Sequence, residues 1–399
     1  MENEFYDRIV YKKNAFNQMS QDLSVYFTGK KILLITTKSL INSHLTEIMN
    51  AVSTAKCSFS HFIAKNNFSE SELRSLVNLM SDKNFDLFIV FGGVRATMVT
   101  KYFANIFCLP YFVCPSIPSG IGYFSNLCIN PYDSTRSFVC DYPTKIYISE
   151  AVIKSAPQKY VKQGIFFLMS YEELLAIGDI ENILLGKRNN YDDISSVLKK
   201  LKCELKYIMT MDSDAKLKLM DIIIDMAYYV SKLNFDISSV FNLYCIMQKV
   251  IQKQNQNIYG GEGYLLASKT LLTMYQNFFK QKSIKKLDVP NVPKIVKNIK
   301  KYTIFQKNIN NLSFFNEIFA KKDILIRINN LKEEFYFQCN NHIQEQNKML
   351  DVIKSYDKFF LTEQLTIKDI FTSINIFPFV TQNNFIVNLM SGMGFVNNF

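Results

Sequence analysis

The stretch from Asp86 to Lys101, DLFIVFGGVRATMVTK, constrains the fold more than any other part of the chain. Its apolar run predicts a buried strand, Gly92 and Gly93 predict a sharp turn, and the residues that follow predict a helix. Glycine lets a backbone bend sharply, and the free N–H groups of such a turn and of a helix N-terminus attract anions. The order therefore indicates a candidate phosphate-binding turn, in which Val94 stands where a third glycine would allow the closest approach.

Further apolar runs alternate with helical patterns on both sides of this stretch. We expect strands at Ile32–Ile35, Cys57–Ile63, Leu87–Phe91 and Tyr111–Cys114. Leu40–Ser53 predicts a helix, and Ser69 with its downstream acidic residues predicts the capped start of another. Alternating strands and helices predict a parallel sheet, with ligands expected at the carboxyl ends of its strands.

The pattern changes at Ser155-Ala156-Pro157, where a serine able to cap and a proline near the first helical position predict a helix start. Strand signals largely stop there, and apolar residues recur at helical spacing. We therefore predict an α/β domain over residues 1–156 and an all-helical domain over residues 157–399. Within the second domain, Asp288–Pro293 predicts the clearest break.

The chain is basic, with a net charge of +11 from 46 Lys and Arg against 35 Asp and Glu. Such an excess attracts nucleic acid, acidic membrane surfaces or phosphorylated metabolites. No arginine-rich or aromatic-interleaved patch stands out, so we interpret most of the surplus as a solvated lysine face. Nucleic acid is therefore not the favoured partner.

Cysteine usage and the N-terminus indicate the compartment. The eight cysteines contain no CxxC pair, and most lie in apolar runs, as buried residues of a reducing compartment do. The N-terminus lacks an apolar signal core, and no run approaches the roughly 18 apolar residues of a transmembrane helix. We expect a cytoplasmic protein with no membrane span.

Three motifs carry a family resemblance. The run FGGVRATMVTK resembles, without a gap, the Gly-Gly-Gly-Lys-x-x-Asp-x-x-Lys stretch of the glycerol dehydrogenase, glycerol-1-phosphate dehydrogenase and iron-containing alcohol dehydrogenase superfamily. In the same register, PSIPSGIGYFSN resembles the Pro-Thr-x-x-Ser-x-Asp-Gly-x-x-Ser-Pro loop, nearest to the glycerol-1-phosphate dehydrogenase branch. FPFVTQNNFIVNLM resembles the family's C-terminal segment. The resemblance implies a dehydroquinate synthase-like fold, in which a Rossmann-like nucleotide-binding domain with a parallel sheet precedes an all-α domain.

The resemblance also implies where a cofactor would bind. The cofactor that it implies is NAD(P), and the ligand is a dinucleotide or a small phosphorylated metabolite. The candidate contacts are Gly92, Gly93, Arg95, Lys101, Ser116, Ser119 and Gly122. The family's aspartates in these two loops fall on Met98 and Ile121, so two carboxylates are lost.

The metal site of the family is altered more severely. In the family, one aspartate and two histidines hold a divalent metal that polarises the substrate oxygen during hydride transfer. These positions fall on Phe167, Gly263 and Ala267, and none of these side chains can bind a metal. The only histidines of the chain are His44, His61 and His342. We therefore expect no metal.

No rival catalytic set emerges from the sequence. We interpret two acidic pairs as helix-start charges and the i,i+3 pair of Cys339 and His342 as a surface or partly packed pair. The acidic pairs are Glu172 with Glu173 and Asp192 with Asp193. His44 and His61 are interpreted as ordinary helix and strand-edge residues.

The sequence predicts a degenerate polyol or glycerol-phosphate dehydrogenase-like protein that lacks metal-dependent catalysis and keeps a nucleotide-binding or partner-binding role. Two alternatives stay open. One is an active NAD(P)-dependent oxidoreductase that reduces dihydroxyacetone phosphate or a related polyol phosphate, with Lys101, Tyr123 or Glu262 replacing the metal's function. The other is a basic protein that binds nucleic acid or anionic lipid. A homo-oligomer is compatible with each of these functions.

Overall fold

The chain forms two compact units. The computed structural model describes residues 2–65, 68–133, 137–186, 190–233, 240, 243–247, 260–282, 322–356, 370, 373–374 and 390. The first unit contains Met1–Ile165 and Tyr207–Lys232, and the second contains Phe166–Lys206 and Leu233–Phe399. A helical segment from later in the chain thus belongs to the same unit as the N-terminal region.

A six-stranded parallel sheet forms the centre of the first unit. The strands of the unit are β1 (Ile9–Lys12), β2 (Lys31–Thr36), β3 (Ser58–Ile63), β4 (Leu87–Gly92), β5 (Tyr111–Pro115), β6 (Leu127–Ile129), β7 (Ser137–Val139) and β8 (Lys145–Ser149). The order in the sheet is β1-β8-β5-β4-β2-β3, and β6 and β7 form a separate antiparallel ribbon. The predicted parallel sheet is therefore confirmed.

Helices cover this sheet and bury its central strands. The helices of the N-terminal region are α1 (Glu2–Tyr6), α2 (Ala15–Tyr26), α3 (Leu45–Thr54), α4 (Glu70–Ser81), α5 (Val94–Phe107) and α6 (Glu150–Lys154). All six residues of β4 are buried. Both faces of the strand are therefore covered, which explains why its sequence is continuously apolar and does not alternate between apolar and polar residues. On one face, Ile32 and Ile89 pack in a core with Leu23 of α2 and Ile48 of α3.

Two elements differ from the sequence expectation. The helix expected from Leu40 begins at Leu45, because Lys38–Leu40 form a short 3₁₀ turn first. The strand β1 was not predicted, since its four residues are too short and too exposed to give a strong apolar pattern. It forms an edge of the sheet through pairing with β8, which is a long-range contact that local periodicity does not encode.

The region after β8 is helical throughout the described residues. Its helices are α7 (Gln158–Met169), α8 (Tyr171–Leu185), α9 (Asp192–Ile208), α10 (Ser213–Lys232), α11 (Gly260–Phe279) and α12 (Lys322–Tyr356). The predicted break at Asp288–Pro293 and nearly all of the FPFVTQNNFIVNLM segment lie outside the described residues. In the described part of the chain, no helix combines the length and the apolar character needed to span a membrane.

The capping box of α4 is the clearest local agreement between sequence and structure. The Ser69 hydroxyl accepts the backbone N–H of Glu72 at 3.2 Å, and the Glu72 carboxylate accepts the backbone N–H of Ser69 at 2.8 Å. Replacing Ser69 by Ala removes a cap worth about 1 kcal/mol. We expect a lower free energy of unfolding by that amount in urea denaturation, whereas Ser75→Ala, at an exposed position of the same helix, should leave it nearly unchanged.

Candidate functional site

The turn between β4 and α5 lies at the carboxyl end of the sheet. Gly92 ends β4, and Gly93 is the N-cap of α5 without a side-chain cap. A Cβ on Gly92 would lie 2.8 Å from the Cβ of Ala96, so the close packing of strand end on helix start requires glycine there. Gly93 is partly exposed and Arg95 is exposed. These two residues therefore form the accessible part of the turn.

The loop that follows β5 lies beside this turn. Pro115 pairs with Gly92 in the sheet register, and the Ser116 N–H donates to the Gly92 carbonyl oxygen at 3.1 Å. The Ser116 side chain is buried. The two loops that carry the predicted cofactor contacts are thus adjacent, as expected for the carboxyl ends of neighbouring parallel strands.

Tyr123 stands at the centre of this loop and is fully buried. Its hydroxyl donates to the Ile117 carbonyl oxygen at 3.0 Å, lies 3.1 Å from Ser119 Oγ, and faces the backbone N–H of Val94. A phenol offers one donor and two acceptor positions. Tyr123 therefore places an oxygen at the first N–H of α5, one of the groups that a helix N-terminus leaves unpaired. Burial raises the pKa of Tyr123 above its ordinary value.

Two apolar side chains of α5 press against Gly122. A Cβ on Gly122 would lie 2.6 Å from Cγ1 of Val94 and 2.9 Å from Cε of Met98. Contacts this short do not occur between real side chains, so glycine at this position is explained by close packing. The positions that hold a glycine and an aspartate in the resembling family, here Val94 and Met98, are filled by hydrocarbon that contacts the loop.

Lys101 is directed into the protein. Its Nζ lies 2.9 Å from the Gly122 carbonyl oxygen, 2.5 Å from that of Ser125 and 3.1 Å from that of Leu127, with Ser125 Oγ at 3.2 Å. Burial lowers the pKa of Lys101 from 10.5 to about 8, so the amine stays largely protonated at neutral pH. The ammonium group thus holds the loop backbone from Gly122 to Leu127 in place.

The candidate cofactor contacts are therefore clustered, and most of them are engaged within the protein. The cluster contains Gly92, Gly93, Arg95, Lys101, Ser116, Ser119 and Gly122. Their contact with a cofactor stays a prediction. Sequence reasoning missed the Tyr123 cap, because no local pattern signals a side chain that bonds to a helix about thirty residues upstream.

An aromatic cluster in the second unit surrounds Phe167, which the sequence resemblance assigns to the first of the family's three metal positions. The ring of Phe167 lies 5.0 Å from Tyr264 and 5.5 Å from Tyr171, both edge to face, and Tyr244 stacks on Tyr264 at 4.7 Å. Burial raises the pKa of Tyr264 well above its ordinary value, so this hydroxyl stays neutral. The residues present do not fit a metal site of the family type.

The other two family metal positions, Gly263 and Ala267, are buried in α11. Neither residue has a side-chain atom that could ligate a metal. Within the described ranges, no three His, Cys, Asp or Glu side chains are grouped so that they could hold a metal ion.

Glu172 and Glu173 lie in the first turn of α8, at a helix start as predicted, and both are buried. Their exposed fractions are 1% and 0%. Glu172 Oε2 lies 2.6 Å from His342 Nδ1, and its Oε1 lies 3.0 Å from Lys202 Nζ. The hydroxyl of Tyr275 donates to Glu173 Oε1 at 2.9 Å. The pair therefore belongs to a buried polar network, whereas Asp192 and Asp193 are exposed at the start of α9.

A second set of polar contacts involves α11 and α12. Gln346 Nε2 donates to the Met169 carbonyl oxygen at 3.1 Å and to Ser268 Oγ at 2.6 Å, and Ser268 donates to the Ser170 carbonyl oxygen at 3.0 Å. His342 is partly packed, as predicted, and Cys339 is buried. These contacts join α7, α8, α11 and α12.

His44 has neighbours that resemble a nucleophile triad. Its Nε2 lies 3.0 Å from Ser155 Oγ and its Nδ1 lies 2.7 Å from Glu47 Oε1. The Ser155 hydroxyl, however, donates to the Val152 carbonyl oxygen at 2.8 Å, and its backbone N–H bonds to the preceding turn. In acyl transfer the serine hydroxyl donates its proton to the histidine, and here that proton is directed to a carbonyl oxygen instead. The Ser155 amide is also bonded within the helix, so it is not available to stabilise an oxyanion.

Comparison with known proteins identifies the fold. No family model matches the sequence, and a search of curated proteins finds no match. The archaeal alcohol dehydrogenase ADH/D1 from a Red Sea brine pool, bound to NZQ, is 10% identical, with a TM-score of 0.62 over 98% of this chain and 96% of that one. Glycerol dehydrogenase from Schizosaccharomyces pombe is 15% identical, with a TM-score of 0.56 over 89% and 94%.

A third similar structure contains a dinucleotide. Sulfoacetaldehyde reductase from Bifidobacterium kashiwanohense, in complex with NAD+, is 11% identical, with a TM-score of 0.59 over 97% of this chain and 95% of that one. These structures share the fold of polyol and alcohol dehydrogenases. This chain has the fold of the glycerol dehydrogenases and iron-containing alcohol dehydrogenases, and the predicted dehydroquinate synthase-like fold is confirmed.

A second glycine fixes the loop from its other side. A Cβ on Gly164 of α7 would lie 2.0 Å from the Pro118 carbonyl oxygen. We expect Gly164→Ala to lower the free energy of unfolding by about 3 kcal/mol, because the backbone of helix or loop must move. Gly260→Ala is the matched control, since its Cβ would lie 4.0 Å from its nearest neighbour among the described residues, the Tyr244 hydroxyl. Equal unfolding midpoints for the two variants would contradict the contact.

The raised pKa of Glu173 predicts how the free energy of unfolding depends on pH. Burial raises its pKa from 4.5 to about 8, so between these values the folded state holds a proton that the unfolded state releases. Stability should therefore fall as pH rises from 4.5 to 8, by at most about 1.4 kcal/mol per pH unit, and then level off. Glu173→Gln should lose this dependence in denaturation at a series of pH values, whereas exposed Asp193→Asn should keep it.

Proposed function

We propose that this chain is a non-catalytic relative of the polyol and glycerol-phosphate dehydrogenases, which acts by binding a ligand or partner rather than by metal-dependent hydride transfer. The observation that carries the proposal is the aromatic cluster of Phe167, Tyr171, Tyr244 and Tyr264 at a family metal position. A metal supplies several kcal/mol of transition-state stabilisation in such chemistry. Its loss corresponds to a rate lower by on the order of a thousandfold or more.

The contacts of Lys101 and Tyr123 support the same proposal. A group that replaces the metal must reach the substrate oxygen with a free proton or charge. Lys101 Nζ is surrounded by four oxygen atoms of the chain, and the Tyr123 hydroxyl faces Ile117, Ser119 and Val94. Glu262, in the first turn of α11, is the remaining candidate of the rival oxidoreductase hypothesis.

The ligand class that we propose follows from the resemblance to the glycerol-1-phosphate dehydrogenase branch. A small phosphorylated polyol is its natural candidate. The basic net charge of +11 favours anionic ligands in general through the field that it creates.

The test is a reductase assay on the purified full chain. Oxidation of NADH or NADPH is followed with dihydroxyacetone phosphate and with added Zn²⁺ or Fe²⁺, and the glycerol dehydrogenase from S. pombe serves as a positive control. We expect no metal-dependent rate above that of a protein-free sample. A rate that a chelator abolishes would refute the proposal, and a rate that survives the chelator but is lost in Glu262→Gln would establish the rival oxidoreductase.

A metal-binding variant provides the matched comparison. Phe167→Asp combined with Gly263→His and Ala267→His places the family's ligand types at the three positions. We expect Zn²⁺ binding in calorimetry for this triple variant and none for wild type or Phe167→Leu. Stoichiometric Zn²⁺ binding to wild type that is unchanged in Phe167→Leu would contradict the loss of the site.

A further inference from the structure

The N-terminus of α5 is where a parallel α/β fold of this kind would receive a diphosphate. The first-turn N–H groups of a helix have no partner within the helix, and an anion that approaches over a glycine turn can accept them. For a diphosphate to bind there, the first N–H of the helix must be free and there must be room for the phosphates above the turn. In this chain the first N–H belongs to Val94, the first residue of α5, and the side chain of the same residue lies beside the turn.

The first requirement is not met, because the hydroxyl oxygen of Tyr123 already faces the Val94 N–H. The Tyr123 oxygen also donates to Ile117 and contacts Ser119, and the side chain has no exposed surface. A Cβ on Gly93 would lie 4.0 Å from this oxygen and 3.4 Å from Cδ1 of Ile117. The phenol oxygen thus stands at the helix N-terminus in the position that an external oxygen acceptor would take.

The second requirement is not met either, because hydrocarbon fills the space beside the turn. Val94 and Met98 approach Gly122 so closely that a Cβ there would lie within 2.6 Å and 2.9 Å of them. A charged diphosphate placed among these groups would lose its hydration without gaining donors, which is costly.

The loop that carries Tyr123 is held from two sides. Lys101 binds the carbonyl oxygens of Gly122, Ser125 and Leu127, and the Pro118 carbonyl lies directly over Gly164. Displacing Tyr123 would therefore break ion–dipole contacts of a buried ammonium as well as tight backbone packing. A dinucleotide could displace a solvated side chain at little cost, but it cannot displace this loop in the same way.

We infer that the turn of Ile121–Tyr123 is a built-in occupant of the phosphate position, and that the chain excludes nicotinamide dinucleotides from the β4–α5 turn. Tyr123 supplies the oxygen, and Val94 and Met98 supply the bulk. The inference goes beyond the proposed function, which concerns the metal, because a protein without a metal would still be able to bind a dinucleotide.

Hydrogen exchange and calorimetry on the full chain test the inference in the presence of a chelator and without substrate, so the result does not depend on metal catalysis. We expect no heat of binding with NADH, NADPH or ADP-ribose up to millimolar concentration. The Val94 amide should be protected in wild type, with or without NADH. In Tyr123→Phe it should exchange on the order of tenfold faster, because the ring stays while the Val94 N–H loses the oxygen that faces it. Tyr102→Phe, later in α5, is the control and should leave the Val94 amide unchanged.

Three results would overturn the inference. The first is micromolar binding of NADH to wild type with a change in exchange at Val94. The second is an unchanged Val94 exchange rate in Tyr123→Phe. The third is a folded Val94→Gly/Tyr123→Phe double variant that binds dinucleotide no better than wild type, since these two groups would then not be the cause of exclusion. If the double variant does not fold, the wild-type binding and exchange measurements still decide the question.

Discussion

The arrangement at the carboxyl end of the sheet depends on the buried ammonium group of Lys101. An ammonium removed from water needs acceptors, and the oxygens of Gly122, Ser125 and Leu127 provide them. Because three of these acceptors are backbone carbonyls, the charge fixes the path of the loop rather than one side chain. That path places Tyr123 against the start of α5. The helix cap, the packing on Gly122 and the closure of the phosphate position therefore all depend on one buried cation.

The parts of this structure that could be predicted from sequence are those encoded by neighbouring residues. β4 reads as a buried strand because all its side chains are apolar, and the cap of α4 needs only Ser69 and Glu72. Tertiary contacts decide the rest. The sequence motif places Lys101 at the same position if its side chain binds a ligand or if it binds the loop, as it does here. In the same way, Glu172 is in the first turn of a helix if its carboxylate is solvated or if it is buried, as it is here. Pattern alone does not distinguish these alternatives, so the positions were predictable but the roles were not.

The helical unit compensates its two buried carboxyl groups in different ways. Glu172 is compensated by Lys202 and His342, whereas Glu173 avoids the cost of a buried charge because burial favours its protonated form beside Tyr275. Perturbed carboxyl groups of this kind often mark active sites. Here they join helices, although Glu173 Oε2 and Gln346 Oε1 are buried without a hydrogen-bond partner among the described residues. The aromatic rings around Phe167 occupy the position that the sequence resemblance assigns to a metal ligand. The charged pairs of this network therefore contribute to helix packing.

An active site retains polar groups that stay unsatisfied until substrate or cofactor arrives, and those groups reduce the stability of the free protein. In this chain the groups that the resemblance assigns to cofactor and metal have internal neighbours. The first N–H of α5 faces Tyr123, the amine of Lys101 bonds to the loop, and Phe167 is part of an aromatic cluster. Each of these contacts stabilises the folded chain. They agree with the proposed function, because a scaffold that is retained for binding does not need the geometry that hydride transfer requires.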